Sequence, residues 1–225
     1  MRLLLLLALA WPILACAQDD YTLLGAGIRT RPEFDGSKDR TIDLIPVVRY
    51  YGQPWFARTT QGMLEGGARW NVRQGFDLGA QLAYEPGPRN HDPGASIGAH
   101  AEWDTQVGRV PLNGLVRVRQ YLDTDRGAAA DLRATAGVYG SHGVQAGVFA
   151  QATLASEKNF RAYYGIGDSG LLYTSLGVLA SYDLVQHWVL VGSAEARRLS
   201  DDAVRSPFVS RRTGVYANVG LAYKF

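Results

Sequence analysis

Residues 213–225 read Thr213-Gly214-Val215-Tyr216-Ala217-Asn218-Val219-Gly220-Leu221-Ala222-Tyr223-Lys224-Phe225. Val215, Ala217, Val219, Leu221, Tyr223 and Phe225 share one face of an extended strand. Gly214, Tyr216, Asn218, Gly220, Ala222 and Lys224 share the other. Successive side chains of a strand point to opposite faces, so this alternation, with no polar residue on the apolar face, predicts lipid on one side and water on the other.

A terminal Phe225 preceded at every second position by Tyr223, Leu221 and Val219 also resembles the signal by which outer-membrane barrels are handed to their assembly machinery. The other end matches it. Arg2 is a minimal basic region, residues 3–14 are an apolar run too short to span a bilayer, and Ala15-Cys16-Ala17 is a small-x-small cleavage site. Residues 1–17 therefore read as a cleaved signal peptide and 18–225 as one exported domain. Ile13-Leu14-Ala15-Cys16 faintly resembles a lipoprotein signal, but Ile13 and Leu14 fit it poorly, and cleavage after Ala17 is the reading adopted. That cleavage removes Cys16, the one cysteine, and with it any disulfide or thiol nucleophile. Loss of Arg2 from the 23 basic residues leaves one more base than the 21 acids, so no basic excess points to nucleic acid. Mean hydropathy is slightly negative and no long apolar helix follows the signal, which excludes a helical membrane protein.

Strand organisation separates a barrel from a soluble sandwich. Residues 75–84, 95–105, 130–139 and 144–154 alternate cleanly over about ten residues, the length a tilted membrane strand needs. Less regular strands fall at 21–28, 41–50, 55–60, 63–70, 110–122, 173–182 and 187–198, giving twelve with the C-terminal one. The weakest boundary is the turn at Gln61-Gly62, and the even count of a bacterial barrel favours placing it there. Short connections (52–54, 71–74, 106–109, 140–143, 183–186) alternate with mostly long ones (29–40, 85–94, 123–129, 156–172, 199–212), as periplasmic turns alternate with outward loops. The predicted fold is an all-β, antiparallel, up-and-down transmembrane β-barrel of twelve strands, closed by pairing the last strand with the one starting at Tyr21. Trp70, Trp103, Tyr182, Trp188, Tyr223 and Phe225 near strand ends are expected in aromatic girdles.

The polar faces place Asp77, His100, Glu102, Asp104, Arg117, Arg119, Asp131, Arg133, Glu195 and Arg197 in the lumen, with Tyr216, Asn218 and Lys224 from the last strand. A lumen lined by both signs tends to cross-link itself, so a narrow or plugged bore is expected rather than a wide pore. Chemistry-bearing motifs are sparse. The four histidines are scattered, with no metal-ligand spacing. Gly165-Ile166-Gly167-Asp168-Ser169-Gly170 lacks the lysine and strand–helix context of a phosphate loop and reads as a mobile loop. Ser96, His100, Glu102 and Asp104 share one strand face, but residues four apart on a strand lie ~13 Å apart, too far for a Ser–His pair. His100 reads as a hydrogen-bonded lumen residue, and His91, His142 and His187 as solvated. Asp123-Thr124-Asp125 and Asp201-Asp202 lie in outward loops and read as solvated charge rather than cation or lipopolysaccharide sites.

Several segments carry a family resemblance. Gly25-Ala26-Gly27, Arg31-Pro32-Glu33-Phe34-Asp35-Gly36-Ser37, then Leu44-Ile45-Pro46 and Tyr50 resemble the opening of the MipA/OmpV family of outer-membrane proteins, although Phe34 stands where Tyr is more usual. Tyr163-Tyr164-Gly165-Ile166, the stretch from Arg198 to Val209 and the Tyr223-Lys224-Phe225 end are similar to later parts of that family. The resemblance implies a non-enzymatic outer-membrane barrel with no cofactor and no catalytic residues. It implies a scaffold that joins a murein lytic transglycosylase to a penicillin-binding protein, or roles in adhesion or envelope stress. The expected surroundings are outer-membrane lipid, lipopolysaccharide and the barrel assembly machinery. A narrow solute channel is the alternative, and a lipid-modifying enzyme a more distant one.

Overall fold

The computed structural model describes residues 21–85, 87 and 93–225; the signal segment and His91 lie outside them. Twelve strands run in chain order: β1 (Leu23–Pro32), β2 (Arg40–Tyr51), β3 (Trp55–Thr60), β4 (Met63–Arg73), β5 (Phe76–Glu85), β6 (Gly94–Val107), β7 (Val110–Tyr121), β8 (Ala128–Ser141), β9 (Val144–Ala155), β10 (Gly170–Val185), β11 (Trp188–Leu199) and β12 (Thr213–Lys224). Each pairs antiparallel with its sequence neighbours, and β1 pairs with β12 from Leu23 opposite Lys224 to Thr30 opposite Ala217. This is the predicted closed barrel, with the turn at Gln61-Gly62 in place. Strand ends differ from the sequence reading mainly at β1, which runs on to Pro32, and at β10, which spans Gly170–Val185.

Two rims result. Tight turns join β2–β3, β4–β5, β6–β7, β8–β9 and β10–β11 at one rim. The longer loops meet at the other, where residues 156–172 and 199–212 were expected to be open loop. Each instead carries a short helix, α1 (Glu157–Tyr164) and α2 (Asp201–Val204). Ser156 Oγ accepts from the Asn159 N–H to cap α1, and Gly165 ends it in the left-handed conformation. Ser200 Oγ accepts from the Ala203 N–H to cap α2.

The outer face is a belt of exposed Leu, Ile and Val, as lipid requires. Its aromatics concentrate toward the short-turn rim, where Tyr50, Trp55, Trp70, Trp103, Tyr182, Trp188 and Phe225 are exposed. Val219 and Leu221 join this face, and Tyr223 makes edge contacts with Trp188 and Phe225 at 5.6 and 4.9 Å.

The wall is sharply folded at β1. A Cβ added at Gly27 would sit 2.6 Å from the Val219 carbonyl oxygen, so only glycine lets β12 approach this closely. Across the corner, Val47 of β2 packs onto Leu23, Val189 and Ala222, all buried, in a small apolar cluster toward the short-turn rim. The Gly25-Ala26-Gly27 motif thus builds the corner.

Candidate functional site: the cross-linked lumen

Inward side chains from β3 to β8 form one charged chain at mid-height. Glu65 of β4, 1% exposed, accepts from Arg58 Nε and Arg117 Nη1, both at 2.9 Å, and from Gln81 Nε2 at 2.8 Å. Arg117 continues to Asp131 through two donors at 2.9 and 2.8 Å. Thr153 Oγ1 donates to the same carboxylate at 2.8 Å. Arg119 links Asp131 (3.4 Å) to Glu85 (3.6 Å), and Arg58 also pairs with Glu102. Glu65, Arg117 and Asp131, the most deeply buried of these charges, each hold several charge-assisted hydrogen bonds, the condition under which burial is tolerated.

A second set faces it from β1, β2 and β11. Arg29 and Arg31 share Asp43 at 3.0 and 2.5 Å. Arg197 pairs with Glu195 at 2.8 Å and with Asp35 of the β1–β2 loop at 3.4 Å; Asp35 also accepts from the Tyr216 hydroxyl. Gln61 at the β3–β4 tip reaches across the bore, donating to Glu195 at 2.9 Å while its carbonyl accepts from Arg29 at 2.6 Å. Between the sets lies a cavity of about 180 Å³ on the long-loop side. A separate void of about 210 Å³, lined by Arg49, Tyr51, Arg58, Glu102 and Arg133, lies on the short-turn side.

The loop helices cap the long-loop mouth. Phe160 and Ala203, both 0% exposed, pack with Tyr164, Leu172, Tyr173 and Leu199. Ser206 Oγ donates to the Tyr164 carbonyl at 2.6 Å and ties the two loops together. Burial pushes the Tyr164 phenol well above its ordinary value, and nearby Asp35 adds to the shift.

The lumen residues expected from the alternation all line the bore side of their strands, but their partners were not legible. Asp77 and Asp104 sit near the short-turn rim, hydrogen-bonded to Asn71 and Asn113 at 2.9 Å. Arg133 lies over the Phe149 ring at 4.0 Å, with no carboxylate in ion-pair range among the described residues. Asn218 donates to Ser193 at 2.6 Å, and Lys224 lies 3.8 Å from Asp183. Glu65, Arg58, Asp43, Asp35 and Gln61 were missed, because residues 63–70 do not alternate cleanly and the loops gave no pattern to read.

His100 departs from the expectation of a hydrogen-bonded ring at Nδ1, which has no hydrogen-bond partner among the described residues, and its ring meets Phe56 edge-on at 5.2 Å. Ser96 lies opposite Tyr121, four pairs above the His100–Arg117 pair, and Glu102 is held by Arg58. His142 and His187 are exposed at tight turns, with His187 stacked on Tyr223 at 5.3 Å. Among the described residues no three His, Cys, Asp or Glu side chains converge as a metal site. The loop acids turn to arginines: Asp123 to Arg126 at 3.1 Å, Asp201 to Arg212 at 2.6 Å and Asp202 to Arg205 at 2.9 Å. The glycine-rich stretch begins as the C-cap of α1, and its Asp168 pairs with Arg205.

Solved structures of similar fold include a NanC porin, with a TM-score of 0.56, 10% identity and coverage of 91% of this chain and 100% of that one. An outer membrane channel from Pseudomonas putida F1 gives 0.56, 10%, 91% and 96%. A bacterial polysaccharide outer membrane secretin gives 0.50, 13%, 92% and 99%. At these identities the likeness is one of fold. A comparison with curated proteins finds no match. Residues 24–225 match the family model described as MltA-interacting protein MipA, and the chain belongs to that family.

Proposed function

We propose that this chain is a non-enzymatic outer-membrane barrel that works through its rims, as a scaffold for murein hydrolase and synthase at the periplasmic face. The observation that carries this reading is the lumen, cross-linked through Glu65, Arg117 and Asp131 and capped by α1. The family description, which names an interaction with a partner, supports it. In this reading residues 1–17 direct export, and Val219, Leu221, Tyr223 and Phe225 address the chain to the assembly machinery. The short-turn rim then faces the periplasm and exposes Arg73 and Arg109 at two turns. Pull-down of a lytic transglycosylase and a penicillin-binding protein by the folded barrel tests it. Enrichment over an unrelated barrel, lowered by Arg73→Glu with Arg109→Glu, is expected; equal recovery by both barrels contradicts it.

A narrow channel is the second reading, favoured by the two voids of about 180 and 210 Å³ and by the porin and channel named among the fold neighbours. It requires the charged layer between the voids to open.

A further inference from the structure

The hydrogen-bond ladder of the wall is interrupted on one side of β2. Along β1, β2 is paired over residues 40–49, but with β3 it shares only Arg49–Arg58, Tyr50–Ala57 and Tyr51–Phe56. The cause lies in the sequence. In that register Thr41 would need residue 66 as its partner, yet the chain has already turned back at Gln61-Gly62 and residue 66 belongs to β4. The β3–β4 tip is instead drawn into the lumen by Arg29 and Glu195. Among the described residues nothing pairs with residues 41–48 on that side.

The phase of the open edge follows from the hairpin bond, Gly52 N–H to the Trp55 carbonyl at 2.8 Å. Antiparallel strands direct the N–H and C=O of alternate residues to the same neighbour, so the even-numbered residues of β2 face the gap. Ile42, Leu44 and Val48 there offer N–H groups, whereas Pro46 has none. The same residues carry the outward side chains. Ile42 and Leu44, 75% and 82% exposed, are barer than any other large apolar side chain of the strands. Arg40 caps this stripe at the long-loop rim, exposed and bonded only to Thr30 Oγ1, at 3.1 Å, among the described residues.

Backbone donors facing hydrocarbon without a partner cost several kcal/mol each, so this edge needs an occupant. A second copy in the same membrane presents β2 running the same way, and strands tilted by ~40° and related by a two-fold axis along the normal cross rather than align. A strand from another protein would lose a donor at Pro46, the device by which natural edges resist pairing. We propose that the edge at residues 41–48 is a site for an anionic lipid of the surrounding leaflet. Its acyl chain lies along Ile42 and Leu44, its ester or amide oxygens accept from the open N–H groups, and its headgroup anion sits at Arg40. This rests on the membrane-barrel fold and is independent of the scaffold and channel readings.

Native mass spectrometry of the full-length folded barrel with phosphatidylglycerol or phosphatidylcholine of matched chains tests it. Retention of phosphatidylglycerol about five-fold above phosphatidylcholine is expected, the size of one cation near an anionic headgroup. Arg40→Gln should abolish the preference, and Arg198→Gln, another exposed rim arginine, should leave it intact. Equal retention of the two lipids by the unaltered protein overturns the proposal, as does equal loss in both variants. Displacement of phosphatidylglycerol by inorganic phosphate would assign the site to a free anion and also overturn it. So would a photocrosslinker at Leu44 that captures a protein strand.

Discussion

Glu65 holds two arginines at once, and its loss exposes how the lumen is balanced. Glu65→Gln leaves Arg58 and Arg117 short of a carboxylate inside the barrel. That change should cost about 3–5 kcal/mol, read as a lowered urea midpoint of the detergent-folded protein. Glu102→Gln, whose one ion pair among the described residues is to Arg58, should cost less. Gly27→Val should block closure of β1 on β12, seen as loss of the heat-modifiable folded band. Residue by residue, the alternation showed which side chains face the bore but not which meet. The partners of Arg117 lie 52 and 14 positions away, and their juxtaposition is set by barrel stagger, which no local pattern records.

At the scale of elements, α1 and the β2 edge are where sequence and structure part. An eight-residue helix is too short to show a period, so the stretch read as loop. Ser156 Oγ also accepts from the Ala128 N–H at 2.9 Å, so Ser156→Ala should loosen α1 by about 1 kcal/mol. Faster hydrogen exchange confined to α1 and the start of β8 is the expected readout. Along β2 the amides of Ile42 and Leu44 should exchange faster in detergent than those of Asp43, Ile45 and Val47, which bond to β1. Uniform protection across these five residues would place a partner strand in the gap. The early turn at Gln61-Gly62 was legible. Its consequence was not, because an unpaired edge appears only once registers on both sides of a strand are known.

Across the whole molecule, alternation and the even-count rule made twelve strands countable before any contact was known, and the sorting of short and long connections marked them as a barrel. The folded corner, the capped mouth and the paired lumen came only with the structure, since each depends on groups far apart in the chain. Together they describe a barrel whose interior is committed to holding itself closed. Planar-bilayer recording of the refolded wild-type protein tests that claim most directly. Silence, or rare small events, is the predicted result; steady, discrete, ion-selective steps from the unaltered protein would contradict it.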